Sequence, residues 1–305
     1  MKIFLAGATG FIGGHILRAL SARGYRIDCL VRAPVATRAN LETLPGVRII
    51  AGQWTRPQSW LSVVTGYDML INAVGIIRER RGASFEQVHT ATPLALFEAA
   101  YRAGIGKIVQ ISALGADEQA RSSFHRTKRA ADQYLMKSDT PHVILRPSLV
   151  YGPGAHSMTF FARLARLPVT PVPGDGRYRV QPLHVCDLVQ AVLLAVQRSD
   201  LANVAVDIGG GEVLTFDAML DVFARQQGHR RGARKMHIPW PLMSLVAATT
   251  DLLGGHGPIN AEELEMLRRE NFTPNLAQFV ALFGFEPVPF SQALSNNAWM
   301  RKPCP

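Results

Sequence analysis

Apolar positions recur in two rhythms along the first 150 residues. KIFLAG (2–7), RIDCLVR (26–32), VRIIAG (47–52), DMLINAVG (68–75), KIVQISA (107–113) and HVILRPSLVYG (142–152) are short β-rich runs. Several are continuously apolar, as strands buried on both faces should be. Between them FIGGHILRALSARG (11–24), SWLSVVTG (59–66), SFEQVHTATPLALFEAAYRAG (84–104) and the stretch 119–138 read as helices. A glycine stop closes the third of these in RAGIGK. Strands alternating with helices predict an α/β fold, a doubly wound parallel sheet covered by helices on both faces.

Beyond residue 152 the rhythm changes. RLPVTPVPGDGRYRVQP (166–182) is broken by prolines and reads as an irregular loop or short strands. A helix over 184–198, a strand in NVAVDIGGG and a capped helix from Thr215 to about Gln227 follow. HIPWPLMSLVAATTDLLGG and AEELEMLRRENF predict two further helical pieces. The pattern therefore divides the chain into a sheet domain, 1–152, and a smaller, mostly helical C-terminal cap region, 153–305, with 183–210 returning to the sheet. In the first tail helix Leu242, Leu245, Val246, Thr249 and Leu252/Leu253 recur at helical spacing. That stripe reads as packing against the sheet domain first and as a docking face second.

Composition narrows the class. With 48% hydrophobic and 18% charged residues in 305, the chain has material for a core. Its longest apolar run, AVLLAV at 191–196, is too short to span a bilayer. The first residues run straight into a strand, so a cleaved signal peptide is not expected. Cys29, Cys186 and Cys304 are scattered without metal-ligand spacing, which argues against a disulfide framework or zinc site and fits a reducing, cytoplasmic compartment. The formal net charge of +10 draws anions: a nucleotide, an acidic protein assembly, or an anionic membrane surface at its inner face. No helix-turn-helix, zinc-finger or aromatic-interleaved basic block points to specific nucleic-acid reading.

The first candidate site is AGATGFIGGHI. Gly7, Gly10 and Gly13 stand in G-x-x-G-x-x-G order between a strand and a helix. Gly7 allows the tight turn, Gly10 lets main chain approach a pyrophosphate, and Gly13 lets helix pack on strand. Free N–H groups near Phe11 and Ile12 then face the phosphates. At the end of the second strand, CLVRAPVATR offers Arg32 and Arg38 rather than an acid. A guanidinium suits a 2′-phosphate, so NADP(H) is expected over NAD(H). Asp28 lies too early on that strand to serve the ribose.

These residues, with NAVG (72–75), Lys128 and LRPSLVYGPG (145–154), make the chain resemble an extended short-chain dehydrogenase/reductase, a Rossmann-type fold. VHTATPLALFEAAYRAGIGKIVQISALGAD and RYRVQPLHVCDL are most similar to an atypical branch of it. That branch holds the 39-kDa accessory subunit of respiratory complex I and relatives in bacteria and quinone biosynthesis. The resemblance implies that Gly7, Thr9, Gly10, Phe11, Ile12 and Gly13 hold the pyrophosphate and that Arg32 meets the 2′-phosphate. It further implies Gln53 near the adenine, Ala73, Val74 and Gly75 along the cofactor, and Lys128 on the nicotinamide ribose. Pro147, Ser148 and Val150 would border the nicotinamide amide.

In SSFHRTKRAADQYL the resemblance also exposes a departure. The family's tyrosine place, one helical turn before Lys128, holds Phe124, which has no proton to give. The usual asparagine of the preceding long helix is His89. Two expectations follow: a protein that holds NADPH within an assembly or quinone metabolism, or an active oxidoreductase or epimerase/dehydratase with a substitute acid. Candidate substitutes are Ser112, Tyr151 and His125. His184 reads as a helix-start residue near the cleft, and Arg163, Arg166, Arg177 and Arg179 as substrate-phosphate contacts or a solvated face.

Overall fold

The computed structural model describes residues 1–31, 41–52, 54, 60–229, 232–252, 257, 259–295 and 304. Seven strands form the central sheet: β1 (Lys2–Ala6), β2 (Arg26–Val31), β3 (Val47–Ala51), β4 (Met69–Asn72), β5 (Lys107–Ile111), β6 (His142–Pro147) and β11 (Val204–Ile208). All pair in parallel, in the order β3-β2-β1-β4-β5-β6-β11. The chain therefore has the Rossmann-type doubly wound architecture, and strand order reverses between β1 and β4. Such a reversal opens a crevice at the strands' carboxyl ends, where ligands of these folds bind.

Period-two alternation distributes the core. Ile3 and Leu5 of β1 face one layer, with helix α1 (Phe11–Ala22) and, later in the chain, α6 (Val185–Gln197). Phe4 and Ala6 face the other, with α2 (Trp60–Val64), α3 (Thr92–Arg102) and α4 (Ser123–Met136). Leu70 and Ile71, both fully buried on β4, each contribute about 2 kcal/mol by burial. Lys107 reaches through this packing to the carbonyls of Ala195 (3.2 Å) and Arg198 (2.7 Å), satisfying the end of α6.

The prolines after residue 152 leave short pieces: β7 (Val150–Tyr151), α5 (His156–Leu164), β8 (Thr170–Pro173), β9 (Arg179–Val180) and β10 (Leu183–His184). After β11 come β12 (Leu214–Thr215), α7 (Phe216–Gln226), β13 (Lys235–Ile238), α8 (Trp240–Leu252), α9 (Ala261–Arg268), α10 (Leu276–Phe283) and α11 (Phe290–Ser295). Tyr151, Met158, Phe161, Phe216, Phe223 and Phe290 build a second core there. The chain returns to the sheet at β11, and Phe279 and Phe283 of α10 pack on the α1/α6 side of the main core.

Two expectations are corrected. Cys186 and Cys304 are bonded to each other across 118 residues, because the start of α6 and the chain's last described residue lie side by side; only Cys29 is a free, buried thiol. Scattered spacing in sequence says nothing about that proximity. In α8 the buried face is Met243, Ala247 and Thr250, whereas Leu242, Leu245 and Leu252 are exposed. Met243, Ala247 and Thr250 turn inward and Leu242, Leu245 and Leu252 outward, so these leucines do not pack on the sheet domain; Leu253 lies outside the described residues. Among the described residues no helix is long and apolar enough to cross a membrane.

Candidate functional site

The glycine turn closes β1 onto α1. Gly7 holds φ +90°, and a Cβ there would lie 2.7 Å from the Ala73 carbonyl. A Cβ on Gly13 would stand 2.1 Å from the Gly7 oxygen, so helix and turn approach at a distance only glycine permits. Gly10 donates to that same oxygen at 2.9 Å. As N-cap of α1 it offers no side chain, and the first turn holds no acid. The N–H groups after it, at Phe11 and Ile12, thus open onto the crevice with the positive helix end behind them. These features fit a dinucleotide pyrophosphate. Arg32, Arg38 and Gln53 lie outside the described residues.

Opposite the turn, β4 and β5 end on a buried amide pair. Asn72 donates to Gln110 (2.8 Å) and accepts from the N–H of Val74 (3.1 Å), which shapes the Ala73–Val74–Gly75 bend. Neither amide was picked out in the sequence, although NAVG contains one of them. Lys128 of α4, 5% exposed, donates to the carbonyls of Val74 and Ile111, both at 3.1 Å. Two of its three ammonium protons are thus used at the ends of neighbouring strands, and the third has no acceptor among the described residues. Burial pushes Lys128 down to about 8, with Asp132 opposing.

His89 sits on a π-helical turn, Glu86–Ala91, leading into α3. Its Nε2 accepts from the N–H of Ile76 at 3.0 Å. Its Nδ1 must then carry the proton and donate to Thr127 Oγ1 (3.2 Å), which passes its own to Ser123 O (2.7 Å). Burial, helped by Lys128, pushes His89 down to about 2. It is a neutral brace for the 74–76 bend, with no acidic proton at ordinary pH.

The half-buried Phe124 ring makes edge contacts with Phe85 (5.9 Å), His89 (5.3 Å) and His125 (5.1 Å). The candidate substitutes are committed elsewhere. Ser112 donates to Asp132 at 2.8 Å, and the same carboxylate accepts from Arg146 at 2.8 Å. Burial raises Asp132 to about 6, against the pull of Arg146. His125 shares a 2.7 Å hydrogen bond with Ser122, and burial pushes it down to about 4. Tyr151 is fully buried, its ring against His184 and Phe290, and burial raises its hydroxyl pKa. Ser148 gives its hydroxyl to Gln181 O at 2.5 Å, and His184 caps α6. Pro147 accepts from the Leu114 N–H at 2.9 Å; Val150 pairs with Leu183.

The tail supplies partners that no local motif signalled. Glu262 accepts from the N–H of Phe124 at 2.7 Å. Arg78, just past the 74–76 bend, grips Glu263 through two nitrogens at 3.0 and 2.5 Å. Arg269 meets Asp117 at 2.5 Å and Gly115 O at 3.2 Å. Asn271 accepts from the Leu149 N–H at 2.7 Å. Helix α9 therefore lies across the mouth where α4 begins. Two cavities flank that start: about 340 Å3 beside Phe85, Ser123 and Thr127, and about 500 Å3 beside Ser122, His125, Arg121, Arg268 and Arg269.

Fold and crevice together define a nicotinamide-dinucleotide-binding α/β protein of the extended short-chain dehydrogenase/reductase type. The pattern of the NAD dependent epimerase/dehydratase family matches residues 3–209, and the chain belongs to that family. Ceramide reductase of Caulobacter vibrioides is 34% identical over 188 residues, covering 61% of this chain and 57% of that one. The NADH dehydrogenase [ubiquinone] 1 alpha subcomplex subunit 9 of Arabidopsis thaliana is 25% identical over 81% of this chain and 62% of its own length. The chain thus spans about three-fifths of either relative. The solved structure of MoeE5 with UDP-glucuronic acid and NAD superposes with a TM-score of 0.71 at 20% identity, over 97% of both chains. At that identity the likeness establishes the fold.

Proposed function

We propose that this protein holds NADP(H) in the crevice between the glycine turn and Lys128, and that it keeps the cofactor-binding half of the family's machinery while lacking its acid. Gly7, Thr9, Gly10, Phe11, Ile12 and Gly13 would hold the pyrophosphate through main-chain N–H groups, and the third Lys128 proton would meet the nicotinamide ribose. Ala73, Val74, Gly75, Pro147, Ser148 and Val150 would line the rest. Arg32 at the 2′-phosphate and Gln53 near the adenine are carried by sequence alone. When bound, the cofactor supplies a hydride donor or acceptor. The observation that carries the reading is the set around Phe124: its ring lies among Phe85, His89 and His125, and His89, Ser112 and Thr127 have each given their protons elsewhere. Lys128 alone can hold a ribose; phenylalanine does no acid–base work at any pH. A structural or assembly role, peripheral to an anionic membrane surface or in quinone metabolism, fits such a protein.

The experiment is a purification followed by titration. The protein should leave the column carrying NADPH that stays unoxidised across ketones, quinones and nucleotide sugars, and NADPH should bind tighter than NADH. Gly13→Ala should lose the cofactor. Tighter NADH binding overturns the cofactor preference, and steady turnover abolished by Lys128→Ala overturns the non-catalytic role.

A second reading, an active carbonyl reductase, draws on the cavity of about 340 Å3 beside Phe85, Ser123 and Thr127 at the start of α4. Two relatives are named as reductases: the ceramide reductase, and a 4-hydroxy-2-methyl-3-oxo-4-farnesyl-3,4-dihydroquinoline-1-oxide ketoreductase of Stigmatella aurantiaca, 27% identical over 65% of this chain. In that case water in the cavity would relay the proton, and the same substrate panel would reveal turnover.

A further inference from the structure

Exposed large apolar side chains are not spread evenly over the molecule. Phe160, Leu167 and Val169 lie on and after α5, and Met236, Leu242, Leu245 and Leu252 lie on β13 and α8. The two segments are distant in sequence but joined in space. β8 and β13 pair in parallel, with Thr170 opposite Lys235 and Met236 opposite Pro171. The Thr170 N–H donates to Arg234 O at 2.7 Å, and the Gly174 N–H to Ile238 O at 2.8 Å. The outward face of α8 presents Leu242, Leu245 (62% exposed) and Leu252 (86%), with Thr249 and Asp251 also exposed near its end, while Met243, Ala247 and Thr250 anchor the helix. Scattered apolar residues are ordinary; a concentration of this kind marks an interaction surface.

Charge on the same segments is mostly positive, with Asp251 near the end of α8 as the exception. Residues 156–174 and 232–250 contain Arg163, Arg166, Arg234 and Lys235 and no Asp or Glu. Of the acids around them, Asp221 pairs with Lys235 at 2.7 Å, Asp217 with His237 at 2.9 Å, and Asp251 accepts from the Ala261 N–H at 3.2 Å. Arg163, Arg166 and Arg234 are exposed. Leucines and a phenylalanine bordered by unmatched arginines suit an acyl region beneath phosphodiester headgroups.

We propose that the α5–β8 and β13–α8 face is the surface by which this protein seats on an anionic phospholipid bilayer, with Leu242, Leu245 and Leu252 entering the headgroup boundary and Arg163, Arg166 and Arg234 meeting lipid phosphates. This deepens the peripheral-membrane part of the function proposed above and is independent of its cofactor part.

The test is sedimentation of the full chain with phosphatidylcholine vesicles, pure or containing roughly one-third phosphatidylglycerol, at low and high salt. Wild type should sediment with the anionic vesicles only, and less at high salt. Leu242→Glu/Leu245→Glu should weaken binding about tenfold or more. Arg163→Glu/Arg166→Glu should weaken it by a similar factor and flatten the salt dependence. NADPH titration and circular dichroism confirm that each variant is folded; Leu242→Ser/Leu245→Ser serves if the glutamates impair folding, and should show the same loss. Vesicle binding unchanged in every variant overturns the assignment of this face and leaves the membrane reading standing. A wild type that ignores both vesicles overturns both. Light scattering that shows a dimer dissociated by Leu245→Glu, without vesicle binding, assigns the face to a second copy and also overturns the proposal. In each case NADPH binding is read separately.

Discussion

The main-chain N–H of Phe124 donates to the carboxylate of Glu262 at 2.7 Å, across 138 residues of sequence. A tail residue thereby caps the helix that carries Lys128, adding to the Ser122 cap within α4 itself. The anion also lies at the positive end of that helix. Glu262→Ala should lower stability by about 1 kcal/mol, as lost helix caps do. The local effect should be larger: hydrogen exchange at the Phe124 amide should quicken by about tenfold for each 1.4 kcal/mol of protection lost, while the Leu70 and Ile71 amides keep near-global protection. Exchange at Phe124 unchanged in the variant would mean that Glu262 does not hold this helix in solution.

Lys128 predicts a pH dependence of known sign. Burial lowers its folded value from 10.5 to about 8. Between those values the unfolded chain binds more protons than the folded one, so the stability contributed by this residue rises with pH. The penalty for burying the ammonium is fully present below about 8 and fades as pH climbs towards 10.5. Wild type measured against Lys128→Met should therefore gain stability from pH 8 to 10.5 in chemical denaturation without cofactor. A flat difference would show that water reaches the ammonium.

Much of this was readable from the chain. The alternation of continuous apolar runs with helical pieces specifies the parallel sheet, and Gly7, Gly10 and Gly13 announce a turn whose tightness the Gly13–Gly7 approach explains. The roles of the committed side chains were not readable. Ser112 sits at a strand end in sequence, yet its hydroxyl is drawn to Asp132, which burial and Arg146 place beside it. His89 reads as a polar helper, yet its two nitrogens are fixed by Ile76 and Thr127 on separate elements. Glu262 and Arg269 act through contacts more than 130 residues long, and such pairing leaves no local periodicity. The α8 stripe shows the converse. Helical spacing located the face, but only the packing of Met243 and Ala247 decides which side turns inward.

The Cys186–Cys304 bond ties the last described residue to the first turn of α6. His15 of α1 lies 3.6 Å from the Cys304 sulfur and reaches Pro153 O at 2.9 Å, so the tie reaches the dinucleotide helix. Under non-reducing conditions the intact mass should fall two hydrogens below that of the free thiols, and Cys304→Ser should show no such deficit. Closing a loop across 118 residues stabilises by up to about 4–5 kcal/mol in the chain-entropy description. Dithiothreitol should therefore lower the melting temperature of wild type and leave Cys304→Ser unchanged. Equal melting temperatures with and without reductant would show that the bond does not constrain the folded protein.

Phe124→Tyr tests the asymmetry on which the proposed function rests, a glycine turn and a lysine retained beside a missing tyrosine. The ring already lies between Phe85, His89 and His125, one helical turn before Lys128, so a hydroxyl adds a titratable group without changing the packing. Lys128 as a cation would favour the phenolate and lower the hydroxyl's pKa. A positioned general acid contributes about 100-fold or more, so NADPH oxidation on a ketone panel should rise by about that factor in the variant. NADPH affinity should stay within about threefold, because the residues proposed to hold the cofactor are untouched. A wild type that already matches the tyrosine variant would place the acid elsewhere, and a variant that binds NADPH but stays inert would show that the substrate-side residues are lost as well.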